Sequence, residues 1–133
     1  MLNLVKTLTR LGDRQHIVRD KAAIELEDFE FDSDTAEVAT SVLNVMFSST
    51  RWEDRFGAVL GCTVLSSKAR SFTSEYLLKT VLEEKVPQLI FDSEFRVRIQ
   101  VGAFFKAVLA TADVETAFTQ FERFKTILVE NIS

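Results

Sequence analysis

Apolar residues return every three or four positions along almost the whole chain, the spacing of helices that bury one face. Leu4, Leu8 and Leu11 define a first amphipathic helix that Gly12 ends. Asp13 is placed to cap a second, striped by Val18, Ala22, Leu26 and Phe29. Asp34 is placed to cap a third, with Val38, Val42, Val45 and Met46 on one side. Ser49 or Thr50 begins a fourth, through Trp52, Phe56, Val59, Leu60 and Thr63. Thr73 or Ser74 begins a fifth, carrying Leu77, Val81, Leu82, Val86, Leu89 and Ile90. Pro87 should kink or break that helix near Lys85 and Val86. The sixth shows Val97, Val101, Phe104, Phe105 and Val108, and Asp113 opens a last one with Val114, Phe118, Phe121 and Leu128. No segment alternates over a strand's length, so the pattern predicts an all-α chain of seven helices.

Only a few residues join helices one and two, three and four, and five and six, which makes each pair an antiparallel hairpin. Longer links, Phe29 to Ser33 and Ser66 to Ser71, separate the pairs. Three segments superpose on an arginine near the start of the second helix of each pair. They read DRQHIVRDKAAIEL from Asp13, SSTRWEDRFGAVL from Ser48 and DSEFRVRIQVGAFF from Asp92. Asp13 and Asp92 stand six residues before Arg19 and Arg98, and Val18 and Val97 directly precede those arginines. Small residues follow each arginine: Ala22 and Ala23, Gly57 and Ala58, Gly102 and Ala103. Arg19, Arg55 and Arg98 are 36 and 43 residues apart, within the range of stacked helix-pair repeats. In such a unit the acid closes the turn, the small residues let helices approach, and the arginine reaches a turn carboxylate or carbonyl of its own or a neighbouring repeat.

The pattern Asp-x-x-x-x-Val-Arg-x-x-Ala-Ala from Asp13, with the Pro87-to-Asp92 and Val97-Arg98 arrangement, resembles the HEAT repeat. The middle unit departs from it, with Ser49 in place of the turn Asp and Asp54 in place of the Val. The resemblance implies a short right-handed α-α superhelix, armadillo-like, in one domain over residues 1–133. Its repeats would cover about 1–29, 34–66 and 73–110, with a final helix over 113–131. The run from Arg51 to Gly61, RWEDRFGAVLG, is also similar to the N-terminal HEAT region of the Swi/Snf-type ATPases that remove TATA-binding protein from DNA. So is the spacing from Ile17-Val18-Arg19 to Trp52-Glu53-x-Arg55. No Walker-type glycine-rich loop accompanies it, so ATPase activity does not carry across.

Composition narrows the classes. Of 133 residues 47% are hydrophobic, and four Gly with one Pro supply too little turn chemistry for a β-rich or disordered chain. Sixteen basic residues against twenty acidic ones, net −4, count against nucleic acid or an anionic membrane as main partner. A single cysteine excludes an internal disulfide and points to a reducing intracellular compartment, cytoplasm or nucleus. The longest nearly apolar run, Phe56 to Leu65, is too short to span a bilayer. Lys6 and Arg10 interrupt the N-terminal apolar residues before a signal-peptide core could form.

Candidate chemistry is sparse. His16 is the only histidine, and Cys62 has no CxxC partner or cationic neighbour in sequence, so a buried structural thiol is the expectation. The chain therefore reads as a non-enzyme without metal or cofactor. The stretch Glu25 to Asp34 holds six carboxylates, but a calcium loop from Asp28 needs Gly and Glu where Ser33 and Ala39 stand. It reads as a solvated link with Phe29 and Phe31 turned inward, or as an acidic docking site (Glu27, Asp28, Glu30, Asp32) for a basic partner. Trp52 and most of the twelve Phe belong to the core stripes; Phe72, Phe95 and Phe124 are the least internal. Arg19, Arg55 and Arg98 form either a structural network with the turns or a binding ridge. The expected function is a protein-interaction scaffold or adaptor within a larger complex. Its alternatives are a HEAT segment of a TATA-binding-protein regulator and a nucleic-acid binder using the arginine ridge. The apolar final helix, with Phe118, Phe121 and Phe124, points to a homo-oligomer through the terminal helices.

Overall fold

The structure, a computed structural model, describes residues 1–111 and, beyond them, residues 119, 122, 123, 125–127, 129 and 130. Among these residues every element is helical: α1 (Leu2–Arg10), α2 (His16–Glu27), α3 (Ser33–Phe47), α4 (Trp52–Lys68) and α5 (Arg70–Glu75). A π-helical stretch (Tyr76–Lys85), α6 (Val86–Leu89) and α7 (Phe95–Thr111) follow. The protein is all-α. The helices lie in two layers: α1, α3 and α5 touch in succession in one, and α2, α4 and α7 do so in the other. Contacts between α1 and α2, α3 and α4, and α6 and α7 join the layers. Among the described residues no helix is long and apolar enough to cross a membrane.

The α4 helix is the centre. It touches α1, α2, α3, α5 and α7 and buries Gly57, Ala58, Val59, Gly61, Cys62, Val64, Leu65 and Ser66. Burial on nearly every side is what a core helix shows, in place of the single stripe expected from Trp52 to Thr63. Two glycines permit the crowding. A Cβ on Gly57 would stand 2.5 Å from the Leu11 carbonyl oxygen, and one on Gly61 would stand 2.6 Å from Leu43 Cδ2. Leu4, Leu8 and Leu11 of the first stripe are buried, as are Val97, Val101, Phe104, Phe105 and Val108 of the last described helix.

Several boundaries differ from expectation, each for a local reason. The α3 helix is capped by Asp32, not Asp34: the Thr35 amide donates to Asp32 Oδ1 at 2.9 Å, and the Asp32 amide donates to Thr35 Oγ1 at 2.8 Å. This reciprocal box satisfies two orphan donors that Asp34, already inside the first turn, could not reach. In the same helix Val45 is 74% exposed, while Ala36, Ala39, Leu43, Met46 and Phe47 are buried. The link expected from Ser66 to Ser71 shrinks to one residue, because α4 runs to Lys68 and only Ala69 separates it from α5. Thr73 is therefore inside α5 rather than at its start, its hydroxyl bonded to the Ala69 carbonyl at 2.8 Å.

Pro87 does not break the chain into two helices. Helical residues run without interruption from 70 to 89, and ten π-helical residues stand directly before the proline-bearing α6. A proline ring collides with the carbonyl four residues back, and the wider π spacing relieves that collision without a break. Asp113, Val114, Phe118, Phe121, Phe124 and Leu128 of the expected final helix lie outside the described residues. The described positions there are helical, and Arg123 Nη1 pairs with Glu83 Oε1 at 2.9 Å.

The glycines give a paired expectation. Gly57→Val should lower unfolding free energy by about 1–3 kcal/mol through overpacking against the Leu11–Gly12 backbone that follows α1. Gly102→Ala should raise it by about 0.5–1 kcal/mol, since its Cβ would meet nothing within 4 Å on a helix surface. Urea titrations of the two variants against the parent chain measure both signs.

Candidate interaction site

The three arginines hold equivalent places in three similar turns. In each turn a side-chain oxygen accepts the backbone N–H two residues on. Asp13 accepts from Gln15 at 2.9 Å, Ser49 from Arg51 at 3.1 Å, and Asp92 from Glu94 at 3.0 Å. Asp13 therefore orders the turn; the N-cap of α2 is Gln15, which offers no side-chain bond. One helical turn further on, each arginine reaches back to the carbonyls that the turn leaves without helical partners. Arg19 Nη1 donates to the Asp13 and Arg14 carbonyls at 2.8 and 3.1 Å. Arg55 Nη1 donates to those of Ser49 and Thr50, both at 3.1 Å, and Arg98 Nη1 to that of Asp92 at 2.5 Å.

What differs is the second partner. Arg55 forks onto the turn acid of the next pair, Nε to Asp92 Oδ2 at 2.7 Å and Nη2 to Asp92 Oδ1 at 3.0 Å. Side-chain exposures of 17% and 6% make this a largely desolvated, bidentate bridge. Arg19 meets no carboxylate among the described residues, because the next turn carries Ser49. It is 5% exposed and lies over the rings of Trp52 and Phe56, at 5.3 and 5.2 Å from their centroids. Arg98 is exposed and in no ion pair among the described residues.

The two departures of the middle unit compensate each other. Asp54 supplies the carboxylate that Ser49 lacks: Ser49 Oγ donates to Asp54 Oδ2 at 2.7 Å, and Arg51 Nη1 to Asp54 Oδ1 at 3.0 Å. Arg51 Nη2 then reaches the Gly12 carbonyl at 3.1 Å and ties the first turn to the second. Arg51, Asp54 and Arg96 escaped the sequence reading, although Ser49 and Asp54 breaking the pattern together was a usable signal. Arg96 bonds Glu94 at 2.8 Å and covers Trp52 at 4.3 Å, so that ring meets the guanidinium groups of both Arg19 and Arg96.

Electrostatics follow the geometry. Burial alone would push the Asp92 carboxyl up. The Arg55 hydrogen bonds, the Glu94 amide and the charges of Arg55 and Arg98 together outweigh it and hold the group below the usual carboxylate value. The same hydrogen bond raises the Arg55 guanidinium further above its ordinary value.

The acidic residues Glu27, Asp28, Glu30 and Asp32 are exposed and make no ion pair with the arginine row. Asp32 acts as a helix cap, and Phe29 and Phe31 are half-buried against the core, with ring centroids 6.4 Å apart. Among the described residues no group of three or more His, Cys, Asp and Glu side chains is arranged to hold a metal ion. Cys62 is fully buried, which pushes its thiol pKa up, and His16 is exposed at the start of α2. Phe72 and Phe95 are half exposed, as their positions predicted, and Phe91 joins them.

No family model, curated protein or solved structure matches the chain.

Arg55→Ala should lower stability by about 3 kcal/mol, because it strands the buried Asp92 carboxylate. The pH dependence has a definite sign. A depressed folded-state pKa contributes stability that is complete above the unfolded value of about 4 and is lost as pH falls through the lower folded value. Asp92→Asn keeps the acceptor for the Glu94 amide and removes this dependence. Its deficit against the parent chain should be constant near neutrality and shrink below about pH 4, as read by urea unfolding at stepped pH.

Proposed function

We propose that the chain is a non-catalytic scaffold of HEAT-like helix pairs that binds protein partners along its helical faces. The observation that carries this reading is apolar surface at helical spacing on α2 and α7, the two outer helices of one layer. Ile17 and Ile24 of α2 are 59% and 63% exposed, and Phe95 and Ile99 of α7 are 53% and 66% exposed. Single exposed apolar residues are ordinary, but a helix face that carries several is the usual mark of a contact surface. The layered helix pairs and the recurring arginine-to-turn bond support the repeat reading, since stacked units leave their outer faces open.

The arginine row favours a structural role over nucleic-acid binding. Arg19 is buried, Arg55 is committed to Asp92, and Arg98 is the most open of the three. Low-salt retention on DNA or RNA should therefore be absent.

The test is affinity capture from the native source with the parent chain and with an Ile24→Asp, Ile99→Asp variant shown by circular dichroism to fold. The parent should retain a defined set of proteins that the variant loses. Identical sets, or salt-sensitive nucleic acid in place of protein, would overturn the reading.

A further inference from the structure

The junction between α4 and α7 is a template for what the outer faces of α2 and α7 accept. At that junction the arginine of one pair, Arg55, grips the turn acid of the next, Asp92. Alongside it Arg96 covers Trp52, and Gln100 Nε2 donates to Thr63 Oγ1 at 3.3 Å. The same register gives each outer helix one unmatched half of this contact. On α7, Arg98 stands where Arg55 stands on α4, and Phe95 where Trp52 stands. On α2, Asp13 stands where Asp92 precedes α7, and Ile17 stands where Arg96 does. Asp13 is in no ion pair among the described residues, and neither is Arg98.

We infer that a second copy of this chain docks head to tail: Arg98 of one copy pairs with Asp13 of the next, and the Phe95–Ile99 face of α7 receives the Ile17–Ile24 face of α2. The inference deepens the scaffold reading by naming one partner, and it rests on the same repeat equivalence. The alternative of two α7 faces meeting each other is disfavoured, because both carry Arg98 and Lys106 and neither brings an acid to match them. Gly102 and the exposed Ala103 leave the centre of the α7 face low enough for close approach. The contact is heterologous, so it continues from copy to copy instead of closing at two. The template also sets one mismatch, Lys21 against Lys106 in the places of Gln100 and Thr63, which weakens the assembly.

Sedimentation velocity from micromolar to millimolar protein tests this. The average mass of the parent chain should climb past that of a dimer with concentration. Arg98→Glu and Asp13→Arg should each weaken association by on the order of thirtyfold or more. Mixed together, they should recover growth past a dimer in alternating copies, since the native Arg98–Asp13 pair forms at one junction and the two introduced charges form the reversed pair at the next. Gly102→Gln, whose Cβ would meet nothing within 4 Å and which favours helix, should block association with no loss of thermal stability, and Lys106→Glu should tighten it. A parent chain that stays monomeric, a mixture that stays monomeric, or single variants that associate like the parent would overturn the inference. Should the parent chain remain monomeric yet still capture other proteins, this inference fails and the scaffold reading stands.

Discussion

Each hairpin is closed by a guanidinium that reaches back from the second helix to carbonyls of the turn before it, and the architecture depends on that bond. A turn between antiparallel helices leaves carbonyls with no helical donor. Filling them from a rigid position one turn into the next helix couples the turn's shape to the direction of that helix. A charged donor strengthens the bond and brings a positive charge that must itself be satisfied away from water. Arg19, Arg55 and Arg98 meet the first demand in the same way. Arg55 and Arg19 meet the second in different ways, and Arg98, being exposed, is solvated instead.

Those differences show what a junction requires. Arg55 has a carboxylate with the right fork geometry, so the pair it forms is nearly dry. Arg19 faces a turn whose acid is replaced by Ser49, and its charge rests on the faces of Trp52 and Phe56. The acid displaced from position 49 reappears at Asp54, where it holds Ser49 and Arg51 together and lets Arg51 reach the first turn. Among the described residues no buried side-chain polar atom lacks a partner. A degenerate sequence therefore still closes its polar accounts, through different residues at each step.

The same logic separates the exposed groups with a local duty from those without one. Asp32, in the midst of an acidic run, is a helix cap held by Thr35, and the hydrogen bond from the Thr35 amide lowers its pKa. Glu25 is likewise held by Arg10, whose hydrogen bond lowers its pKa against a smaller effect of desolvation. Ile17, Ile24 and Ile99 have no such local duty among the described residues, and Phe95 stays 53% exposed with the Arg96 guanidinium 5.5 Å from its ring centroid, which is why the functional reading turns to them.

Helix identity, the pairing rhythm and the equivalence of the three arginines were written in the chain, because each depends on contacts a few residues apart. Periodicity reports a buried face, and an arginine that bonds six residues back is a local event. Boundaries set by competing local donors were less readable: Asp32 outcompeted Asp34, and a widened π stretch took up Pro87 without a break. The rest was decided by packing. That α4 is enclosed on almost every side, that Val45 faces solvent while Ala36 and Ala39 do not, and that Arg55 meets Asp92 across 37 residues are properties of how helices stack. A helical stripe says that a face will be covered; only neighbours brought from elsewhere in the chain determine which side that is and what covers it.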